Sequence, residues 1–217
     1  MPPPTTTHAR LDGPLVMVGF GSIGKGTLPL ILRHIDVARD KVVIIDPDDS
    51  ARAIAELAGI RFERLPLLPD TLRETLTPLL TPGGFLVNLS VGVSSVALIE
   101  LCRELGALYL DTCVEPPPGG YTDPTKSISE RSNYAMRESA LALRRPGTDP
   151  TAVVAHGANP GLVSHLVKRA LLHLARDLGL HAAPASRDDW AKLARDLGVK
   201  GIHIAERDTQ RARIPKQ

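Results

Sequence analysis

Short apolar runs alternate with segments of helical apolar spacing along most of the chain. The runs predict strands at residues 15–19, 41–46, 61–65, 85–89, 107–110 and 151–155. The segments between them predict helices at residues 23–33, 50–57, 70–77, 94–105 and 129–143, with Ser94 as the N-cap of the fourth. Because most of these strands are apolar on both faces, the pattern predicts an α/β fold: a Rossmann-type doubly wound parallel sheet covered by helices on both sides.

The regular alternation stops after residue 160. The remaining chain predicts one long amphipathic helix at 161–178, a polar linker at 182–186, a helix ending near residue 197 and a strand at 201–205. These elements are too few to bury a core of their own. We therefore divide the chain into a disordered arm (1–13), a complete α/β domain (14–160) and the start of a second, incomplete and truncated domain (161–217).

Composition excludes several classes of function. Among 217 residues, 26 Lys and Arg against 24 Asp and Glu leave a formal net charge of +2, and aromatic residues make up 3%. So small a charge and so few stacking rings give no case for binding nucleic acid or an anionic membrane surface. No apolar run approaches the roughly 18 residues of a membrane span, and the N-terminus lacks the pattern of a secretory signal. Two cysteines, Cys102 and Cys113, build neither a disulfide framework nor a four-ligand zinc site, so we expect a soluble cytoplasmic protein without a metal.

A complete glycine motif lies between the first strand and the first helix. In Gly19-Phe-Gly-Ser-Ile-Gly24 the glycines permit a tight turn, a close approach to a pyrophosphate and tight helix packing. Asp46 ends the second strand, where a carboxylate binds ribose hydroxyls and repels a 2′-phosphate, which favours NAD over NADP. The alternative is a turn with coincidental glycines and a helix-capping aspartate. The cofactor-binding residues predicted here are Gly19, Gly21, Ser22, Ile23, Gly24 and Asp46.

Polar residues also follow the later strands, at the sheet edge where ligands bind in such folds. Asn88 and Ser90 either line the nicotinamide ribose or simply turn the chain. His156 and Asn159 either flank the nicotinamide, or Asn159 caps the next helix with Pro160 at its first position.

The segment that begins at Asp111 carries two carboxylates. If the strand continued, Asp111 and Glu115 would share one face roughly 13 Å apart and could not hold one ammonium together. Asp111 has an alternative role as a loop cap, whereas Glu115 has no evident structural role and is a functional candidate. Cys113 is better explained as a small core residue than as a nucleophile. Glu206 forms an acidic pair with Asp208, for which surface ion pairing is the alternative.

Several of these motifs together resemble bacterial homospermidine synthases, of the saccharopine-dehydrogenase-like group. The resemblance runs from about residue 14 to the last residue. Pro117 departs from the bulkier aromatic residue expected there. The motifs that carry the resemblance are Gly19-Phe-Gly-Ser-Ile-Gly24, Asp111-Thr-Cys-Val-Glu-Pro116, Gly119-Gly-Tyr121, Arg131-Ser-Asn-Tyr134, His156-Gly-Ala-Asn-Pro-Gly161 and His203-Ile-Ala-Glu-Arg-Asp-Thr-Gln210.

The resemblance implies an NAD-dependent conversion of two putrescine molecules to homospermidine and ammonia through imines, with NADH recycled internally. It implies Glu115, Asn159 and Glu206 as substrate-site residues, and the set of Gly19, Gly21, Gly24 and Asp46 as the NAD-binding residues. Asn88, Ser90, Asp111 and His156, which lie at or just after strand ends, are predicted beside the cofactor. The resemblance also implies a homodimer at full length, about twice this length, so that residues 161–217 begin a substrate or dimerisation domain. The alternatives are a saccharopine-dehydrogenase-like oxidoreductase that releases NADH, and a catalytically silent NAD-binding fragment.

Overall fold

The structure, a computed structural model, describes residues 6–207. The strands are β1 (Ala9–Arg10), β2 (Leu15–Val18), β3 (Ile35–Asp36), β4 (Val42–Asp46), β5 (Arg61–Arg64), β6 (Phe85–Asn88), β7 (Leu108–Asp111) and β8 (Ala152–Val153). The helices are α1 (Ser22–His34), α2 (Arg52–Leu57), α3 (Leu72–Leu76), α4 (Ser95–Leu105), α5 (Asn133–Ala142), α6 (Leu162–Asp177) and α7 (Arg187–Asp196). A short 3-10 turn spans Arg39–Lys41.

Six parallel strands form the central sheet in the order β5-β4-β2-β6-β7-β8. The chain runs outward from β2 through β4 to β5, then returns to the other side of β2 and continues outward from β6 to β8. The order therefore reverses between β2 and β6, where doubly wound sheets open a crevice at the carboxyl ends of their strands. This topology confirms the predicted Rossmann-type fold.

Side-chain alternation along the central strands builds a separate core on each face of the sheet. On β2, Val16 and Val18 join the core that includes Leu98 and Leu101 of α4. The intervening Leu15 and Met17 join the opposite core, which includes residues of α1 and α2. All four side chains are at most 3% exposed, which explains why the strand is apolar without interruption.

Local signals fix several helix ends. The Ser94 side chain accepts a hydrogen bond from the Ala97 amide and so caps α4, as predicted. At the other end, Gly106 adopts a left-handed conformation with φ of 70°. Helix α5 begins later than predicted, because Ser132 provides its N-cap.

The predicted arm is in part ordered. Within it, β1 pairs in parallel with β3, and the Leu11 amide donates to the Asp36 carbonyl at 2.9 Å. The expectation of disorder is therefore wrong for this segment, because the chain after α1 offers an extended partner that the sequence pattern did not reveal. Residues 1–5 of the predicted arm lie outside the described residues.

The chain divides into two compact units, residues 1–160 and 161–217. The second unit, considered by itself, packs α6 against α7 around Leu171, Ala175 and Leu193. Residues 201–207 are exposed and have no regular structure, so the predicted strand at 201–205 is wrong. Its alternating isoleucines lack a neighbouring strand in the described part of this unit, and an unpaired strand leaves its backbone hydrogen bonds unmade. No helix within residues 6–207 is long and apolar enough to cross a membrane.

Candidate functional site: a dinucleotide cleft

The first glycine of the motif is held in a conformation that requires glycine. Gly19 has φ of 91°, and a Cβ added there would lie 2.7 Å from the Leu89 carbonyl carbon and the Ser90 nitrogen. Its amide donates to the Ile45 carbonyl at 2.9 Å. The turn after β2 therefore packs directly on the backbone that follows β6, with no room for a side chain between them.

The other two glycines serve different needs. A Cβ on Gly21 would meet nothing within 4 Å, so the absence of a side chain leaves open space in front of the loop. A Cβ on Gly24 would lie 2.8 Å from the Gly19 carbonyl oxygen, so this glycine lets α1 pack closely against the turn. These are the three roles of glycine in dinucleotide-binding loops: turn, ligand approach and helix packing.

The N-terminus of α1 points at this open space. Gly21 is its N-cap and makes no side-chain capping bond, and the first turn has no acidic residue. Ser22 and Ile23 are exposed there, and the amides of a first helical turn have no partner within the helix. Such an end binds phosphate through its amides and its partial positive charge.

Asp46 lies beside the loop at the end of β4. One carboxylate oxygen accepts a hydrogen bond from the Phe20 amide, and the other accepts from the Asp48 amide at 2.8 Å. These bonds fix the side chain while leaving lone pairs that can accept ribose hydroxyls. The carboxylate lines a cavity of about 530 Å³. The cavity walls also include Gly19, Gly21, Leu65, Leu68, Ser90 and Gly92.

Across the switch point, a buried hydrogen-bond network connects three strand ends. Asn88 accepts at Oδ1 from Ser90 Oγ at 2.6 Å and donates from Nδ2 to the Tyr109 hydroxyl at 3.3 Å. Tyr109 donates to Asp111 Oδ2 at 2.9 Å, and Asp111 Oδ1 accepts from the Ala155 amide at 2.6 Å. The network runs from the loop after β6, through β7, to the segment after β8.

The network changes the interpretation of two predicted residues. Asp111 is fully buried and Asn88 is 2% exposed, so both side chains lie beneath the cleft surface, and their place beside a cofactor stays a prediction. Burial raises the pKa of the Asp111 carboxyl, while hydrogen bonds from Ala155, Tyr109 and Ser95 oppose the rise. Sequence reasoning missed Tyr109, because an aromatic residue within an apolar strand gives no sign of its hydroxyl partners.

Glu115 lies at the edge of the same region and is 8% exposed. Its Oε2 accepts a hydrogen bond from the Gly92 amide at 3.2 Å, and its Oε1 accepts one from the Tyr121 hydroxyl at 3.2 Å. Burial and the nearby Glu115 charge raise the pKa of Tyr121 to about 12. Because β7 ends at Asp111, the two carboxylates do not continue along one strand as the spacing argument assumed. Tyr121 was overlooked as a partner, although it stands in the Gly119-Gly-Tyr121 motif.

The segment after β8 is tied to Asp111. Ala155 has φ of 52°, and the His156 amide donates to the Asp111 carbonyl at 2.9 Å. His156 and Asn159 are both exposed. Helix α6 begins at Leu162 with Gly161 as its N-cap, so the alternative role of Asn159 as N-cap is wrong.

The remaining predicted residue lies in the second unit. Glu206 is exposed in the segment without regular structure, and its sequence neighbour Asp208 lies outside the described residues. Cys113 is partly buried, and burial together with the Glu115 and Asp111 charges raises the pKa of its thiol, which favours the unreactive form. No group of His, Cys, Asp and Glu in residues 6–207 is arranged to hold a metal.

Together, the reversed strand order, the glycine loop at a helix N-terminus and the aspartate after β4 define a dinucleotide-binding domain. Comparison with known families is specific: the chain belongs to the family described as "Saccharopine dehydrogenase NADP binding domain", which matches residues 15–153. This match confirms the expectation of a nicotinamide dinucleotide cofactor.

Curated relatives confirm the resemblance found from the motifs. The chain is 59% identical over 215 residues to homospermidine synthase of Blastochloris viridis, covering 96% of this chain and 45% of that protein. It is 48% identical to homospermidine synthase of Mesorhizobium japonicum, covering 96% of this chain and 44% of that protein. The chain thus spans less than half the length of these relatives.

A solved structure agrees with the fold. The crystal structure of homospermidine synthase from Legionella pneumophila in complex with NAD matches with a TM-score of 0.83 at 38% identity. The match covers 96% of this chain and 43% of that one.

Proposed function

We propose that this chain is the NAD-binding part of a homospermidine synthase, an enzyme that converts two putrescine molecules to homospermidine and ammonia. The observation that carries the proposal is 59% identity to such an enzyme over 96% of the chain. The cleft supports it, because the three glycines, the helix N-terminus and Asp46 suit a dinucleotide.

In this proposal the first-turn amides of α1, from Ser22 to Gly24, bind the pyrophosphate. Asp46 accepts hydrogen bonds from the adenosine ribose, and its charge opposes the 2′-phosphate of NADP. NAD, when bound, accepts a hydride from the amine substrate and returns it to the later imine. The preference for NAD needs a direct test, because the family description names NADP whereas the Legionella relative was solved with NAD.

The substrate carries ammonium groups, so its site needs a carboxylate that is only partly hydrated. Glu115 suits this role, because its carboxylate is largely buried and is fixed by Gly92, a residue of the cleft wall. Its two described donors leave lone pairs for an ammonium. Asn159 and Glu206 are proposed as further substrate-site residues on the resemblance of their motifs to those of homospermidine synthases, and His156 is proposed beside the nicotinamide.

The proposal is tested with a chimera that joins this chain to the remaining part of the Blastochloris viridis enzyme. Given putrescine and NAD, the chimera should form homospermidine without sustained NADH absorbance, because the hydride returns to the substrate. Sustained NADH would instead support a saccharopine-dehydrogenase-like oxidoreductase. This chain alone should bind NAD and form no homospermidine, since the core described in its second unit is small.

Glu115→Gln in the chimera tests the carboxylate. Losing the charge partner of a buried ammonium costs about 2–5 kcal/mol, so kcat/KM for putrescine should fall at least tenfold while NAD affinity is retained. Glu100→Gln, at an exposed position on α4, is the control and should have no effect. A change below about threefold for Glu115→Gln would assign this acid to the structure alone. Glu206→Gln is expected to act in the same direction.

Two further assignments belong to the same proposal. The free thiols of Cys102 and Cys113 suit a reducing compartment, so a cytoplasmic location is proposed. A homodimer is proposed for the complete enzyme. Sedimentation of the chimera tests the second assignment, and a monomer would contradict it.

A further inference from the structure

The donor and the acceptor in each hydrogen bond of the buried network can be assigned by starting from the two ends of the network. At one end, Asn88 Oδ1 lies 3.2 Å from the Ser90 amide, which can only donate, so this atom is the amide oxygen and the side chain is not flipped. At the other end, the Ala155 amide donates to Asp111 Oδ1. Backbone donors therefore define the roles of both terminal side chains.

The middle of the network follows from these ends. Because Asn88 presents its oxygen to Ser90, its NH₂ group must donate to the Tyr109 hydroxyl. Tyr109 must then donate its own hydrogen to the Asp111 carboxylate. Every donor therefore points toward Asp111, which is the final acceptor.

The same order determines what Ser90 presents to the cleft. Its hydroxyl hydrogen is used in the 2.6 Å bond to Asn88 Oδ1, so its lone pairs are what remain for a ligand. Ser90 lines the cavity that also contains Gly21 and Asp46. It lies on the β6 side of the switch point, opposite Asp46, where the second nucleotide of a dinucleotide binds.

We propose that Asp111, acting through Tyr109 and Asn88, is a positioning residue that fixes Ser90 Oγ as a hydrogen-bond acceptor for the nicotinamide riboside of the cofactor. The group recognised is a donor, such as a ribose hydroxyl or the carboxamide NH₂. This inference rests on the proposed function, because it requires a nicotinamide dinucleotide in this cleft. Neither the glycine motif nor the family match assigns a role to Tyr109 or to this proton order.

The test compares two ligands by calorimetry on the 217-residue chain. NAD occupies both halves of the cleft, whereas ADP lacks the nicotinamide riboside. Ser90→Ala and Tyr109→Phe should each weaken NAD binding by about three- to tenfold, the loss of one hydrogen bond, and leave ADP affinity unchanged. Tyr134→Phe, at a tyrosine that is 72% exposed, is the matched control.

The double variant Ser90→Ala with Tyr109→Phe separates positioning from simple loss of packing. If Tyr109 acts through Ser90, the double variant should bind NAD no more weakly than whichever single variant has the lower NAD affinity. Additive losses, or an equal fall in ADP affinity, would overturn the inference. Because Ser90 is not in the core, Ser90→Ala remains decisive even if Tyr109→Phe does not fold. Unchanged NAD affinity in Ser90→Ala would also overturn the inference. Failure of the unaltered, folded chain to bind NAD would instead overturn the proposed function.

Discussion

The two halves of the cleft are built by different means. On the β2 and β4 side, the backbone forms the surface. This surface consists of Gly19 with its positive φ, Gly21 with open space where a Cβ would lie, and the first turn of α1. On the β6 to β8 side, buried side chains form the support, with hydrogen bonds among Asn88, Tyr109 and Asp111. The first half offers amides to anions, whereas the second presents a fixed side-chain oxygen.

This difference has a physical cause. A pyrophosphate is bound by several amides at once, and only a closely wound backbone can bring several amides together. A riboside carries separate donors and acceptors, so its recognition depends on the orientation of individual groups. Replacing a glycine should therefore disrupt the first half by steric overlap, whereas conservative changes in the second half should act by altering single hydrogen bonds.

The largest effect is expected from Gly19→Ala. The new Cβ would overlap the Leu89–Ser90 backbone at 2.7 Å, and alanine is strained at a φ of 91°. Strain and overlap together should lower the free energy of unfolding by about 2–5 kcal/mol, measured by urea denaturation. Gly26→Ala is the matched control: Gly26 lies in α1, the helix that follows the turn, with nothing within 4 Å of the added Cβ, and the substitution should be neutral or stabilising. Equal stability of the two variants would contradict the proposed packing of the turn.

Gly21→Ala should separate binding from folding. Its Cβ would enter the open space in front of the loop, where we place the pyrophosphate, and would touch no protein atom within 4 Å. NAD affinity should fall by about ten- to a hundredfold, while the free energy of unfolding should fall by less than about 1 kcal/mol, because alanine is a poorer N-cap than glycine. Calorimetric titration and urea denaturation of one preparation give both values. Unchanged NAD affinity would mean that the dinucleotide does not pass over this loop.

The sequence was sufficient for features whose signals are local. Apolar runs located the strands of the central sheet, and the spacing from Gly19 to Asp46 located the first half of the cleft. Ser94 was recognised as a cap because a capping hydroxyl bonds an amide only a few residues away. The apolar runs and the cap depend on contacts within one strand or one helical turn. Gly19 and Asp46 lie far apart in the chain and were recognised together only because the dinucleotide-binding motif has a known spacing.

Features that depend on distant partners could not be predicted in this way. Tyr109 acquires its role from Asn88, and β1 forms only because β3 lies beside it. The strand expected at 201–205 shows the converse, since an alternating pattern without a pairing partner gives exposed chain. Residue type alone does not show which side chains the fold will bring together.

Asp46→Asn tests the choice between NAD and NADP on the β2 and β4 side of the cleft. Asparagine keeps one oxygen that can accept from the Phe20 amide, but it removes the negative charge and loses the hydrogen bond from the Asp48 amide. The preference for NAD over NADP should fall by about tenfold, mainly through improved NADP binding, because the repulsion of the 2′-phosphate is lost. Dissociation constants for both cofactors are measured by calorimetry for the unaltered chain and the variant. An unaltered chain with equal affinity for NAD and NADP would contradict the assignment of Asp46.

The smallest effect is expected in the pH dependence of the free energy of unfolding, through Asp111 on the β6 to β8 side of the cleft. Burial raises the pKa of Asp111 in the folded chain, so the folded state holds its proton to higher pH than the unfolded state does. The stabilising contribution of this group is therefore complete below the unfolded pKa and is lost as pH rises through the folded pKa. Asp111→Asn removes that titration, so the advantage of the unaltered chain over the variant in free energy of unfolding should be greatest near pH 4 and smaller at pH 7. Asp70→Asn, at an exposed turn, should show no such trend. An advantage that grows with pH would mean that the donors from Ala155, Tyr109 and Ser95 outweigh burial, and that Asp111 is stabilised as an anion.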